Sequence, residues 1–374
     1  MRIAVNTRFL LKSKLEGFGW FTFETLKRMT MNHPEHEFIF FFDRPYDDKF
    51  IFSDNITPVV LPPMARHPIL FKIWFNKSVT WALKKYKADV FFSPDGYLSL
   101  KTDIPQIGVI HDLNFEHFPN DIPPTPRKYL LKYFPLFANK AAKIITVSNY
   151  SKTDIMERYK IANEKIIVAH NGASLDFKPV SNEDRLATQE IYTEGKPYFL
   201  FVGALHPRKN IIRLLQAFER FKDATNAPTR LLLVGDFLWR DEDFKRRFNT
   251  FKYKDEIHFT GHISDAKLQA VTAAAKALTF VSYFEGFGIP IVEAMRSGTP
   301  VMAGELTALP EVAGEAAYYV DPYSVQSIED GLIELDKNEA LRKDLIQKGL
   351  KRAEDFNWDN TAKIVWETIV AFDN

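Results

Sequence analysis

The chain has 374 residues, a hydrophobic fraction of 46% and a net charge of +1. That length points to two α/β domains, and the near-zero charge gives no whole-molecule attraction to nucleic acid. Zero cysteines exclude disulfides and thiolate metal sites, which fits a reducing, cytoplasmic setting.

In chain order, the opening run Met1 to Asn6 reads as a buried strand, too short and polar-flanked for a signal peptide or membrane span. Glu16-Gly17-Phe18-Gly19-Trp20 follows as a glycine loop ahead of a helix over 21–29, although a lone Gly-x-Gly is a weak signal. Further strands are expected at 38–42, 58–61, 90–93, 107–110, 144–147 and 166–169. Between them, 55–88 lacks any acidic residue. At roughly 100° per residue, Phe71, Phe75, Val79, Ala82 and Tyr86 form its apolar stripe. Trp74 and Trp81 then fall on the other side, among Lys77, Lys84 and Lys85. Either loops cover these tryptophans, or the face is an interfacial one that docks peripherally on the inner surface of a membrane.

Strand 107–110 ends in His111-Asp112, where open parallel sheets meet their ligands. His170-Asn171-Gly172 closes the first half, and a polar stretch leads to strands at 198–202, 231–234, 257–260, 278–281, 301–303 and 317–320. Near-continuous apolar strands separated by helices predict parallel sheets covered on both faces: an α/β chain of two Rossmann-like, doubly wound domains. A helical period over 356–374 carries Trp358 and Trp366.

Two segments carry chemistry. Strand 198–202 runs into Gly203 and then Pro207-Arg208-Lys209-Asn210, with Asn210 a good residue to cap the next helix. Two adjacent cations at a strand end are placed to meet a diphosphate, although a bare Arg-Lys pair is more often a solvated turn. Strand 278–281 leads to Glu285-Gly286-Phe287-Gly288-Ile289-Pro290-Ile291-Val292-Glu293. Its glycines allow a tight turn and close ligand approach, Pro290 suits the first helical position, and the amides of Gly286, Phe287, Gly288 and Ile289 form an anion cradle. Glu293 is expected in the first helical turn, where the dipole favours a carboxylate. Two acceptor-only side chains beside an anion cradle suit a sugar nucleotide.

The 285–293 segment resembles the paired-glutamate signature of retaining glycosyltransferases with the GT-B fold, in the glycosyl transferases group 1 family. The resemblance implies two domains facing across a cleft: 1–172 on the acceptor side, 173–356 binding the nucleotide sugar, and a helix over 357–374 packing back on the first. It implies that Glu285 holds donor-sugar hydroxyls, Glu293 the ribose, and Lys209 with Arg208 the leaving diphosphate. The family's arginine often follows the strand-end glycine directly; Ala204 stands there, so Arg208 must substitute. Phe259-Thr260-Gly261-His262-Ile263-Ser264 resembles the turn lining the base, through His262 and Ile263, although Ser264 also reads as a plain helix cap. Gly17 and Gly19 resemble the loop over the donor phosphates, with Trp20 and Asp112 toward the acceptor and His111 as the active-site histidine. Ser148-Asn149-Tyr150-Ser151, at the start of a helix, resembles a further family landmark.

No metal and no cofactor is implied, the nucleoside-diphosphate sugar being a substrate. The Pro-Arg-Lys-Asn run resembles mannosyl-transferring members, so GDP-mannose is favoured over UDP-sugars. The implied acceptor is a glycan or lipid-linked hydroxyl in surface polysaccharide or glycoconjugate synthesis. A sugar-nucleotide epimerase of the same architecture and a non-catalytic sugar-nucleotide binding module stay open as alternatives. A nicotinamide dehydrogenase fits poorly, because no Gly-x-Gly-x-x-Gly follows the first strand.

Overall fold

The structure is a computed structural model that describes all residues except Ser13, Lys14, Glu16, 237–241 and Asn374. Glu16 of the first glycine segment and the last residue of the closing helical stretch therefore lie outside the described residues. The chain divides into two compact units: Met1–Gly172 with the segment from Asn357 onward, and Ala173–Phe356.

Unit 1 holds β1 (Arg2–Asn6), β2 (Glu37–Phe42), β3 (Ile56–Val60), β4 (Val90–Ser93), β5 (Gln106–Val109), β6 (Lys143–Thr146) and β7 (Ile166–Val168). They form one sheet in the order β3-β2-β1-β4-β5-β6-β7, and every pairing is parallel. Unit 2 holds β8 (Tyr198–Val202), β9 (Arg230–Val234), β10 (Ile257–Gly261), β11 (Ala277–Phe280), β12 (Val301–Gly304) and β13 (Ala317–Val320). Their order is β10-β9-β8-β11-β12-β13, again parallel throughout. Each expected strand is present, with ends moved by a residue or two. The signal was strong because central strands such as Tyr-Phe-Leu-Phe-Val in β8 are buried along their whole length.

Both sheets reverse their strand order once, between β1 and β4 in unit 1 and between β8 and β11 in unit 2. At such a point the flanking loops diverge and leave a crevice beyond the strand ends, where ligands of open α/β sheets bind.

The helix Trp358–Val370 belongs to unit 1, where Phe21 of the helix Gly17–Asn32 meets Trp358 edge to face at 6.4 Å. Trp366 stacks on His33 at 3.8 Å, and Thr361 Oγ1 donates to the His170 carbonyl at 2.5 Å. Gly172 is needed for close approach: a Cβ there would lie 2.7 Å from the Asn357 carbonyl carbon.

Two local expectations are corrected. Gly17 and Gly19 do not form a loop; they occupy the first turn of the helix Gly17–Asn32, and Gly19 serves packing, since a Cβ would sit 3.1 Å from the Phe9 carbonyl oxygen. The basic stretch is not one regular helix. A π-helical turn, Trp74–Val79, interrupts it between Pro68–Ile73 and Thr80–Lys85. Bonding from i to i+5 slows the rotation per residue, so Trp74, Phe75 and Val79 all turn inward. Trp74 is fully buried with Nε1 donating to the Leu61 carbonyl at 2.8 Å, whereas Trp81 is 56% exposed. No helix among the described residues is long and apolar enough to cross a membrane.

Candidate functional site

In unit 2 the loops after β8 and β11 meet at the strand-order reversal. After β8, the chain makes a short 3-10 turn, Pro207–Lys209, capped by the His206 side chain, which accepts the Arg208 N–H at 3.3 Å. Asn210 then takes a left-handed conformation (φ 62°) and does not cap the following helix Ile211–Thr225. Its amide instead donates to the carbonyls of Val281 at 3.1 Å and Pro322 at 2.6 Å, tying this turn to the loops after β11 and β13.

That turn delivers both cations onto Glu285. Lys209 Nζ lies 2.5 Å from Oε1, and Arg208 lies 2.9 Å from Oε2 while also donating to the Phe284 carbonyl at 3.0 Å. Lys209 and Glu285 are buried, and the ammonium rests 4.7 Å from the centre of the Phe280 ring. Burial pushes the Glu285 carboxyl up, but the charges of Arg208 and Lys209 outweigh it and hold it at about 2. An ionised carboxylate clamped by two donors is an acceptor of fixed orientation.

The loop after Glu285 is held by a residue the sequence reading missed. Thr307 Oγ1 accepts the Glu285 backbone N–H at 3.1 Å, with Thr307 itself at φ 61°. Positive φ on a β-branched residue is strained and persists only where surrounding contacts enforce it. Gly288 (φ 100°) precedes the helix Ile289–Arg296. Pro290 has no N–H and that of Ile291 returns to the Gly288 carbonyl at 3.0 Å, so the Ile289 amide lies outside the helical ladder. Phe287 turns its ring inward against Phe356, centroids 5.5 Å apart, so its side chain packs in the core of unit 2.

Glu293 is the fifth residue of that helix, which begins at Ile289, one residue before the Pro290 start that the sequence suggests. It therefore misses the first turn, and the dipole is not what governs it. Half-buried, its carboxyl is pushed up to about 8, first by burial and then by the charge of Asp265. Asp265 opens the helix Asp265–Ala274, directly after His262, Ile263 and Ser264, so that turn and Glu293 adjoin. Ser264 occupies the cap position there without a side-chain capping bond. His262 is exposed, Ile263 is half-buried, and the His262 backbone N–H goes to Asp236 Oδ1 at 3.2 Å. Asp236 also accepts the Leu205 N–H through its carbonyl at 2.9 Å. This second missed residue ties together the loops after β8, β9 and β10; the Gly235-Asp236 pair at a strand end was the available signal.

In unit 1, His111 follows β5. Its Nε2 lies 2.9 Å from the Pro94 carbonyl; a carbonyl only accepts, so Nε2 carries the hydrogen. Burial lowers the imidazole pKa to about 4, against opposing effects of that hydrogen bond and of Asp95. The ring is thus neutral at physiological pH with Nδ1 as an acceptor, suited to a hydroxyl hydrogen. Phe18 and Phe21 wall it edge-on at 4.6 and 5.1 Å. Trp20 contacts Phe23 at 5.8 Å, and the aromatics that reach His111 are Phe18 and Phe21. Asp112 Oδ1 accepts the Asn114 N–H at 2.9 Å, and Ser151 Oγ donates to the His111 carbonyl at 3.1 Å.

The chain is similar to known proteins over most of its length. The model described as glycosyl transferases group 1 matches residues 183–352, and the model described as glycosyltransferase family 4 matches residues 17–177. Both halves of the chain thus match glycosyltransferase models, and the chain is a glycosyltransferase. Over 361 residues this glycosyltransferase is 27% identical to the O-antigen chain mannosyltransferase B of Escherichia coli, covering 94% of each chain. It has the GT-B fold, superposing on sucrose-phosphate synthase from Thermosynechococcus elongatus with a TM-score of 0.81 at 19% identity, over 99% of each chain. Anabaena HepE, solved in complex with UDP-glucose, gives a TM-score of 0.77 at 17% identity over 99% of this chain and 100% of that one.

Proposed function

We propose that this glycosyltransferase moves mannose from GDP-mannose to a hydroxyl of a glycan or lipid-linked acceptor, with retention and without a metal ion, in surface polysaccharide synthesis. The observation that carries this reading is the clamp of Lys209 and Arg208 on Glu285, at 2.5 and 2.9 Å. When the bond from the anomeric carbon to the diphosphate breaks, negative charge gathers on the departing oxygens. Two preorganised cations and the Ile289 amide stabilise that charge more than they stabilise the ground state. Without ligand, Glu285 pairs with both cations and leaves the cluster one net positive charge. With the donor seated, the diphosphate takes over their hydrogen bonds and the carboxylate turns to the sugar hydroxyls. Glu293, beside the base-side turn, receives the ribose hydroxyls, and the His111 Nδ1 lone pair receives a sugar or acceptor hydroxyl.

Mannose is supported by the Pro-Arg-Lys-Asn run and by the Escherichia coli relative; the Anabaena neighbour, which holds UDP-glucose, makes UDP-sugars the competitor. Thermal shifts with GDP-, UDP- and dTDP-sugars decide between them. A donor at 100 times its dissociation constant adds about 2.7 kcal/mol, so GDP-mannose should raise the melting temperature more than UDP-glucose, and the reverse order would replace it. Activity should survive EDTA, and proton NMR of the product should read the same anomer as the donor. Conversion of the sugar nucleotide without any added alcohol would favour an epimerase instead.

We further propose peripheral docking on an anionic membrane surface. The support is the exposed Trp81 with Lys85 Nζ 4.8 Å from its ring, at the mouth of a cavity of ≈ 520 Å³ lined also by Lys77, Val60 and Pro62. Lys84 is exposed on the same helix, whereas Trp74 lies in the core and takes no part. Trp81→Ala should weaken binding to phosphatidylglycerol vesicles; unchanged binding by the folded variant refutes it.

A further inference from the structure

The strand-order reversal of unit 1 carries an ion pair of the same kind as the one in unit 2. Arg8, just past β1, places Nε 2.6 Å from Asp95 Oδ2, just past β4, with side-chain exposures of 5% and 3%. The guanidinium is boxed by aromatic rings, its carbon 4.2 Å from the centre of Tyr97 and 4.9 Å from those of Phe9 and Phe71. Burying two charges at a ligand-binding crevice is costly, and nothing in the proposed transfer chemistry uses Arg8.

The loop that Arg8 anchors is the one that orients His111. Asp95 Oδ1 accepts the Ser93 hydroxyl at 3.0 Å and the Tyr97 N–H at 3.1 Å, which folds 93–97 into a tight turn. Between these contacts stands Pro94, whose carbonyl takes the Nε2 hydrogen of His111. The same turn abuts the strand bearing the histidine: Gly96 has φ +79°, and a Cβ there would approach the Val109 carbonyl oxygen to 2.9 Å. Arg8 thus reaches His111 through one carboxylate and one carbonyl, without touching the ring itself.

We propose that Arg8 is a positioning residue for His111: by holding the Asp95 turn it aims the Pro94 carbonyl, which selects the tautomer with a lone pair on Nδ1. This rests on the reading of His111 as a substrate-hydroxyl acceptor, but the pair's effect on the ring is measurable without any substrate. The charged group that acts on that ring is Asp95, itself paired with Arg8, with Asp112 next in the chain; helix Gly17–Asn32 contributes the uncharged Phe18 and Phe21.

The experiment is nitrogen-15 NMR of histidine-labelled full-length chain, with the His111 signals assigned by their loss in His111→Gln. The wild type should show a single tautomer protonated at Nε2. In Arg8→Gln those signals should move toward tautomer averaging, and the His111 titration midpoint should rise by at least one pH unit as the Asp95 charge goes unopposed. Arg8→Lys, which keeps the charge, should show the smaller titration shift. Should Arg8→Gln fail to fold, Arg8→Gln/Asp95→Asn, which leaves no unpaired buried charge, provides the same reading of the tautomer. In GDP-mannose turnover, Arg8→Gln should lower kcat about tenfold with the donor KM unchanged. Wild-type His111 signals in a folded Arg8 variant would overturn the proposal. Equal changes at histidines remote from His111 would do the same, because they would mark a general loss of order.

Discussion

Replacing Glu285 by glutamine keeps the shape of the side chain and removes the charge that two cations enclose. The folded carboxyl stands at about 2 against an ordinary value of 4.5. A difference of about 2.5 pH units at 1.36 kcal/mol each gives roughly 3 kcal/mol of stability at pH 7. Because the folded value is depressed, this contribution is complete above pH 4.5 and is lost as pH falls toward 2. At pH 3 the same linkage leaves only about 1 kcal/mol. Denaturant unfolding of wild type and Glu285→Gln should therefore differ by about 3 kcal/mol at pH 7, with a gap that narrows steadily on acidification. A gap independent of pH would mean that the loss comes from packing or from Thr307 and not from the ion pair, and a gap below about 1 kcal/mol at pH 7 would refute the clamp.

Three more outcomes follow from the geometry. Glu293 is raised, so between about 4.5 and about 8 the folded chain holds a proton that the unfolded chain has released. Its contribution to stability should then decline as pH rises through that window, Glu293→Gln should flatten the decline, and GDP binding at pH 7 should release a proton in the wild type only, read by calorimetry in two buffers. Lys209→Ala should lower kcat by roughly 10²–10³, the range for losing one preorganised donor at a developing charge; Arg208→Ala should cost less because its side chain is 21% exposed against 9% for Lys209, and equal losses would remove that ranking. Gly235→Ala should destabilise unit 2 by over 1 kcal/mol in denaturant unfolding, because Gly235 has φ +139° and a Cβ would overlap the Gly203 carbonyl oxygen; a neutral result would show that the loop before Lys209 yields easily.

Much of the architecture was legible because its signal is local. Strands buried on both faces write themselves as unbroken apolar runs, so Phe38 to Phe42 and Tyr198 to Val202 needed no partner to be recognised. Cations and carboxylates in strand-end loops were legible for a similar reason: position after a buried strand is itself a statement about where ligands meet an open sheet. Helix starts were less so. Gly17 and Gly19 read as a loop, and Pro290 as the first helical residue, because glycine and proline describe local freedom and not the packing that decides where a helix begins. Trp74 was misplaced by assuming constant rotation along a segment that contains a π-helical turn.

By itself, then, the chain's sequence determined two parallel sheets and the kinds of side chain that crown them. Only tertiary structure decided which of those side chains meet. Lys209 and Glu285 are 76 residues apart, and Arg8 and Asp95 are 87 apart. Each pair joins because the strand order brings β8 beside β11 and β1 beside β4, and that order is set by how whole helices and strands pack, which no short stretch of residues encodes.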